Sequence, residues 1–269
     1  MQKFSNDSIV GKQSEISLAE WALVEEIRAG KWKNLDFPRI AREDFGLNGI
    51  EFVNTLFESP TETYLKKLKQ QAEDYGTTMV LIMVDEEGDG ASDTKEGRKQ
   101  FEINHRKWVD IAHYLGCHAI RTNCRNLQNG DPTEAMKWAE ESYQLLLDYA
   151  APSNIKILIE NHGGVSNDPD WMVEFMRRMN HPLLGILPDW RNPMPDFDNV
   201  EYLEKTIPYS KGMSYRNQPT EELTAKMIRM TMEAGYKGWY GIESKGREEV
   251  QKGIEYLRKY LVTASVETV

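Results

Sequence analysis

The stretch Ile155–Gly164, IKILIENHGG, runs an aliphatic segment straight into Glu160, Asn161 and His162 before two glycines open a turn. A carboxylate at the last position of a buried strand must be desolvated, which is costly unless a cation or a proton compensates it. The segment therefore reads as a strand whose C-terminal end carries chemistry. The same design recurs in GILPDWRN (185–192) and WYGIESK (239–245). Working outward, short β-rich or apolar segments alternate with longer amphipathic stretches eight times. The segments are Glu15–Ala19, Gly49–Asn54, Thr78–Val84, His118–Thr122, Lys156–Glu160, Leu184–Pro188, Gly212–Tyr215 and Trp239–Glu243. Their starts lie roughly thirty residues apart, the length of one strand, turn and returning helix.

Between them the apolar period is helical. Leu65, Leu68, Ala72 and Tyr75 form one stripe; Trp108, Ile111, Ala112 and Leu115 form another; Val250, Ile254, Leu257 and Leu261 form the last. Gly46, Gly76, Gly116 and Gly235 stand where left-handed C-terminal caps belong, and Asp131-Pro132 and Asp168-Pro169 read as N-caps followed by N1 prolines. No Pro/Gly/Ser-rich linker, charge block or low-complexity tract interrupts the 269 residues. The expected architecture is α/β, a single-domain (β/α)8 TIM barrel over residues 1–269, with 1–14 as a flexible N-terminal extension; such barrels typically need about 250 residues. An open doubly wound sheet is the competing fold. Its glycine-rich dinucleotide turn has only Gly88-Asp89-Gly90 as a candidate, without a third glycine or a following helix start.

Composition narrows the function. With 33 Lys+Arg against 43 Asp+Glu the formal charge is −10, so polyphosphate backbones are repelled and no nucleic acid partner is expected. The longest aliphatic run, Met79–Val84, is far too short to cross a bilayer, so no membrane partner is expected either. The polar start, MQKFSNDSIVGKQS, lacks a secretory pattern; a cytoplasmic protein is expected, or a periplasmic one whose export signal has been removed. Cys117 and Cys124 read as reduced thiols. A homo-oligomer is compatible with all of this.

In the barrel, active sites form at the C-terminal ends of the strands. Those ends carry Glu20 and Trp21; Asn54; Asp85 and Glu86; Asn123; Glu160, Asn161 and His162; Asp189, Arg191 and Asn192; Arg216 and Asn217; Glu243 and Lys245. Glu160, Asp189 and Glu243 would point into one bowl from strands five, six and eight. Their repulsion would favour an oxygen-preferring divalent cation such as Mg2+ or Mn2+, or would raise one pKa. The alternative is that each pairs with a nearby Lys or Arg. The loop Asp85–Glu96, DEEGDGASDTKE, imitates an EF-hand, but Ser92 replaces the aliphatic residue and a strand precedes it; it reads as a loop flanking the mouth, with Asp85 or Glu86 facing substrate.

These three segments, together with ISLAEW (16–21), LDFP (35–38), LIMVD (81–85), RKWVD (106–110), LGCHAIRTN (115–123), KGMS (211–214) and GYKGWYGIE (235–243), resemble the sugar phosphate isomerase/epimerase family of xylose isomerase-like TIM barrels. The resemblance implies a divalent metal held by two Glu, one Asp and one His from strands five to eight. Glu160, Asp189 and Glu243 match three of these positions. On strand seven the family's His-x-Lys is met by Ser214-Tyr215-Arg216, leaving three carboxylates with Ser214 at the fourth position, completed by water or by His162. Mg2+ or Mn2+ is expected ahead of Zn2+.

The resemblance further implies proton abstraction α to the carbonyl of an open-chain ketose or sugar phosphate through an enediolate, with Glu160 and Glu243 as the acid/base pair. Around them, Asn123 and Asn192 are expected to contact substrate, and His162 is expected to hydrogen-bond a sugar hydroxyl or to fix the Gly-Gly turn. Arg191, Arg216 and Lys245 are expected to bind a phosphate or carboxylate or to balance the acidic bowl. Trp21 is a stacking platform or a core residue. Two other readings share the site: a keto-sugar or keto-inositol dehydratase/lyase, and a carbohydrate-binding barrel without turnover. Abasic-site endonuclease activity, also found on this barrel, would need several more histidine ligands than His162.

Overall fold

The computed structural model describes residues 15–126, 131–191 and 198–263. The expected N-terminal extension and Asn192 lie outside them. Eight parallel strands, β1 (Glu15–Ala19), β2 (Gly49–Val53), β3 (Thr78–Met83), β4 (Ala119–Asn123), β5 (Lys156–Glu160), β6 (Leu184–Leu187), β7 (Met213–Tyr215) and β8 (Trp239–Ile242), follow the order β6-β5-β4-β3-β2-β1-β8-β7. Between β7 and β6 the ladder is reduced to two parallel bridges, Ile186 with Ser210 and Asp189 with Ser214. Ser214 N donates to Pro188 O at 3.0 Å and Trp190 N to Ser214 O at 3.1 Å, so the seam closes with the C-terminal end of β6 joined to β7. Pro188 has no N–H to contribute to a continuous ladder.

Each strand is followed by helix: α1 (Val24–Arg28) and α2 (Phe37–Phe45) after β1, α3 (Glu62–Asp74) after β2, α4 (Lys95–Leu115) after β3, and α5 (Pro132–Ala150) after β4. Then come α6 (Pro169–Met179), α7 (Asn199–Thr206), α8 (Glu221–Glu233) and α9 (Arg247–Thr263) after β5 to β8. The caps follow local chemistry. Asp131 accepts from the amides of Thr133 and Glu134, Asp168 from those of Asp170 and Trp171, and each precedes a proline at N1. Gly46 and Gly116 end α2 and α4 with φ of 64° and 83°, a conformation that a side chain disfavours.

Strand alternation splits the core in two. Outward residues such as Ile50, Ile82, Ile120, Ile157 and Ile186 pack under the helix stripes in the main apolar layer. Inward residues Ala19, Val53, Leu81, Met83, Ala119, Leu158 and Leu187 form a small separate cluster inside the barrel. Toward the C-terminal ends of β4, β5 and β7 the inward positions become polar: Arg121 and Asn123 on β4, Glu160 on β5 and Ser214 on β7, all buried. The β4 strand runs one residue later at each end than its sequence pattern suggests, placing Arg121 and Asn123 on one face at i, i+2.

Candidate active site

Glu160, Asp189 and Glu243 meet at this end. All three are buried, and each offers a carboxylate oxygen within 4.8 Å of those of the other two. Ser214 joins them: its Oγ donates to Glu243 Oε2 and lies 3.4 Å from Asp189 Oδ2. All four residues at the expected metal-ligand positions therefore share one sphere.

Two guanidiniums border it. Arg216 Nε lies 2.8 and 3.0 Å from the two oxygens of Asp189, and its Nη2 lies 3.1 Å from Glu243 Oε1. Arg121 rises from inside the barrel, with Nε 2.9 Å from Glu160 Oε2 and Nη1 2.6 Å from Asp85 Oδ1. Asn123 donates to the same Asp85 oxygen at 2.9 Å and accepts from Arg121 Nη1 at 3.3 Å. Asn123 thus orients the ion pair. Asp85 turns to Arg121 at the inner wall, and the guanidinium and Asn123 hold its carboxyl well below the usual range against the opposing effect of burial.

Three buried carboxylates and the half-buried Asp85 thus face two guanidiniums among the described side chains, an acidic excess that favours proton or cation uptake. Burial pushes Glu243 up to about 7, the repulsion of Glu160 and Asp189 adding to it and Arg216 opposing it. At Glu160 burial acts in the same direction, but Arg121 and the imidazole of His162 outweigh it and the pKa falls. The two glutamates of one bowl are driven apart in protonation. His162, with its side chain 41% exposed, sits with Nδ1 3.4 Å from Glu160 Oε2, and that contact raises its pKa.

The remaining expected residues divide. Trp21, half-buried, packs on the inner apolar cluster, with Arg28 5.4 Å over its ring. The side chains of Arg191 and Lys245 form no ion pair with the carboxylates among the described residues; with Arg216 they line an adjoining cavity of about 610 Å3. The imitation EF-hand loop is a strap. Asp89 accepts from the amides of Ala91 and Arg125 through Oδ1 and of Asn126 through Oδ2, at 2.8–3.0 Å, spending its carboxylate on tying the β3 loop to the β4 loop.

Two further buried acids lie outside the expected ligand and acid/base set. Glu51, central in β2, points inward, accepts from Ser17 Oγ at 2.6 Å, and is pushed up to about 8 by burial and then by Glu243 and Glu160. Its niche exists because residue 241 is glycine; a Cβ there would fall on the carboxylate. Glu20 accepts from Val53 N at 3.0 Å and is likewise raised to about 8 by burial. The sequence signal for Arg121 and Glu51 was a charged residue inside an otherwise apolar strand.

The model of the family described as "Xylose isomerase-like TIM barrel" matches residues 40–260, and the chain belongs to that family. No curated protein matches the sequence. Among solved structures, a D-tagatose 3-epimerase-like protein superposes with a TM-score of 0.74 at 17% identity, covering 95% of this chain and 100% of its own. A xylose isomerase-like TIM barrel protein from Mycobacterium smegmatis in complex with magnesium gives 0.68 at 19%, covering 93% and 97%. The probable 3-DHS dehydratase involved in petrobactin synthesis from Bacillus anthracis gives 0.70 at 14%, covering 91% and 98%. At these identities the likeness establishes the shared barrel. No helix among the described residues is long and apolar enough to cross a membrane.

Proposed function

We propose that this chain is a sugar isomerase or epimerase that moves a proton α to the carbonyl of an open-chain ketose or sugar phosphate. The observation that carries this reading is the divergence of Glu160 and Glu243. Arg121 keeps one ionised while burial and repulsion hold a proton on the other near neutral pH, the arrangement needed for one base and one acid in the same bowl. Glu160 takes the proton from the carbon beside the carbonyl, and Glu243 returns one from its own side. Delivery to the same carbon inverts it; delivery to its neighbour isomerises the sugar. Arg216 fixes Asp189 and Glu243 and places a positive charge beside the oxygens on which negative charge develops.

The donor set also suits a hard divalent cation, because three carboxylates and the Ser214 hydroxyl offer only oxygen. Glu160, Asp189, Glu243 and Ser214 would hold it, with Mg2+ or Mn2+ ahead of Zn2+. When bound, it would supply Lewis-acid polarisation of the substrate carbonyl. Each glutamate has two oxygens, so one is able to face a cation while the other handles a proton.

His162 supports a second reading. A protonatable imidazole next to Glu160 is placed to give a proton to a β-hydroxyl as it leaves, which would make the enzyme a keto-sugar or keto-inositol dehydratase. Incubating ketoses with the enzyme in heavy water separates the readings. Carbon-bound deuterium with all hydroxyls retained identifies an epimerase or isomerase, and loss of water identifies a dehydratase. Sugar binding without either, unaffected by Glu160→Gln and by chelator, would identify a binding protein and end the catalytic proposal.

A further inference from the structure

Beside the carboxylates, at the ends of β7 and β8, lies the cavity of about 610 Å3, within the size range of small-molecule sites. Its wall carries four cations, Arg191, Arg216, Lys245 and Lys252, against one carboxylate, Glu249. Two of the cations are already engaged: Arg216 by Asp189 and Glu243, and Lys252 by Glu249 at 3.8 Å. Arg191 and Lys245 have no carboxylate within ion-pair distance among the described residues, in a chain whose net charge is −10. Arg191 is also held in place. Its own amide donates to Asp189 Oδ1 at 2.7 Å, and its exposed guanidinium reaches the carbonyl of Asn217 at 3.4 Å through Nη1, at the rim of the cavity. Lys245 sits just before α9, whose first turn lines the same cavity through Glu249, so the positive end of that helix adds to the field.

We propose that this cavity is an anion subsite, and that the substrate is a sugar bearing a carboxylate or phosphate at the end remote from the reacting carbon. This rests on the proton-transfer reading for what happens at the other end. Arg216 supplies the link, because it lines the cavity with one part of its side chain and touches both Asp189 and Glu243 with its guanidinium. An anionic group between Arg191 and Lys245 would therefore extend its carbon chain over Arg216 toward Glu160 and Glu243. A guanidinium and an ammonium lining one cavity suit carboxylate and phosphate oxygens, and a neutral hydroxymethyl end would leave both charges unanswered.

The test is calorimetric titration of the full chain at low salt with fructose, gluconate and fructose 6-phosphate, using wild type, the Arg191→Gln/Lys245→Gln double variant, Lys245→Glu and Glu160→Gln. At least one of the two anions is expected to bind wild type about tenfold or more tighter than fructose. The double variant should erase that preference and leave fructose within about twofold, while Lys245→Glu, a change at an exposed position, should reverse it. Whichever anion shows the preference identifies the substituent as carboxylate or phosphate. Equal affinity for all three, absence of anion binding, or a preference that survives in the double variant would overturn the subsite. Glu160→Gln is expected to retain anion binding while losing deuterium incorporation. An anion preference without any exchange in wild type would refute the catalytic reading and leave the subsite standing, and exchange without the preference would do the reverse.

Discussion

Asn161 satisfies both main-chain polar groups of Asp189: its Oδ1 accepts from Asp189 N at 2.7 Å and its Nδ2 donates to Asp189 O at 3.0 Å. The amide side chain thereby completes a ladder that β5 and β6 themselves end too early to make. Asn54 does the same for Asp85 across β2 and β3, at 2.8 and 2.9 Å. Two of the acidic residues at the mouth are thus fixed by the strand before them.

Asn161→Ala removes both bonds and leaves buried backbone groups unpaired, so a loss of about 1–3 kcal/mol in unfolding free energy is expected, measured by urea denaturation. Solvent-hydrogen exchange into substrate should fall as well, because Asp189 loses its fixed position. An unchanged denaturation midpoint would show that water replaces the amide at no cost.

Arg121 lies between Asp85 and Glu160 with almost no solvent access. Arg121→Met should destabilise the fold by about 3–5 kcal/mol, since Glu160 would stay buried, and Asp85 half-buried, without their cation. Adding Asp85→Asn to Arg121→Met should recover part of that loss by removing one uncompensated charge. A double-mutant cycle with no coupling between the two positions would contradict the pairing.

Stability should fall as pH rises. Glu20 and Glu51 have folded pKa values of about 8 against an ordinary value of 4.5, so the native state holds more protons than the unfolded chain between those limits. The stabilisation is fully present below the unfolded value and is lost as pH climbs through the folded one, at up to about 1.4 kcal/mol per pH unit for each group. Melting temperatures from pH 5 to 9 should decline, and Glu20→Gln with Glu51→Gln should flatten the slope. A wild-type melting temperature that rises over this window would refute the assignment.

Ser214 takes the place of the imidazole that the family resemblance implies, and it bonds to Glu243 and Asp189. Ser214→His should tighten Mn2+ binding by about tenfold or more, read by titration calorimetry, because it adds a nitrogen ligand to a three-carboxylate set. Addition of Mn2+ should raise the melting temperature of wild type, and chelator should reverse the rise. A Ser214→His variant with no gain would place the cation outside this sphere or exclude it.

Much of the architecture was legible because it rests on local rules. Strand and helix periods, Asp-Pro starts and glycine stops act within a few residues, so eight units could be counted along the chain, and Glu160 stood out because it interrupts an aliphatic run at a turn. The roles of Arg121, Glu51 and Asp89 were not legible. Each depends on a partner 34–39 residues away: Arg121 on Asp85 and Glu160, Glu51 on Ser17, and Asp89 on the amides of Arg125 and Asn126. A loop that imitates a calcium site on paper becomes a strap once those amides arrive.

The sequence by itself determined the repeating unit, and with it the end of the barrel at which acidic side chains gather. Only the tertiary structure decided which of those acids keep their protons and where Arg191 and Lys245 stand relative to them. Periodicity is a property of neighbouring residues, whereas a carboxylate's charge state follows from solvent exclusion and from cations that reach it only after the sheet has curled shut.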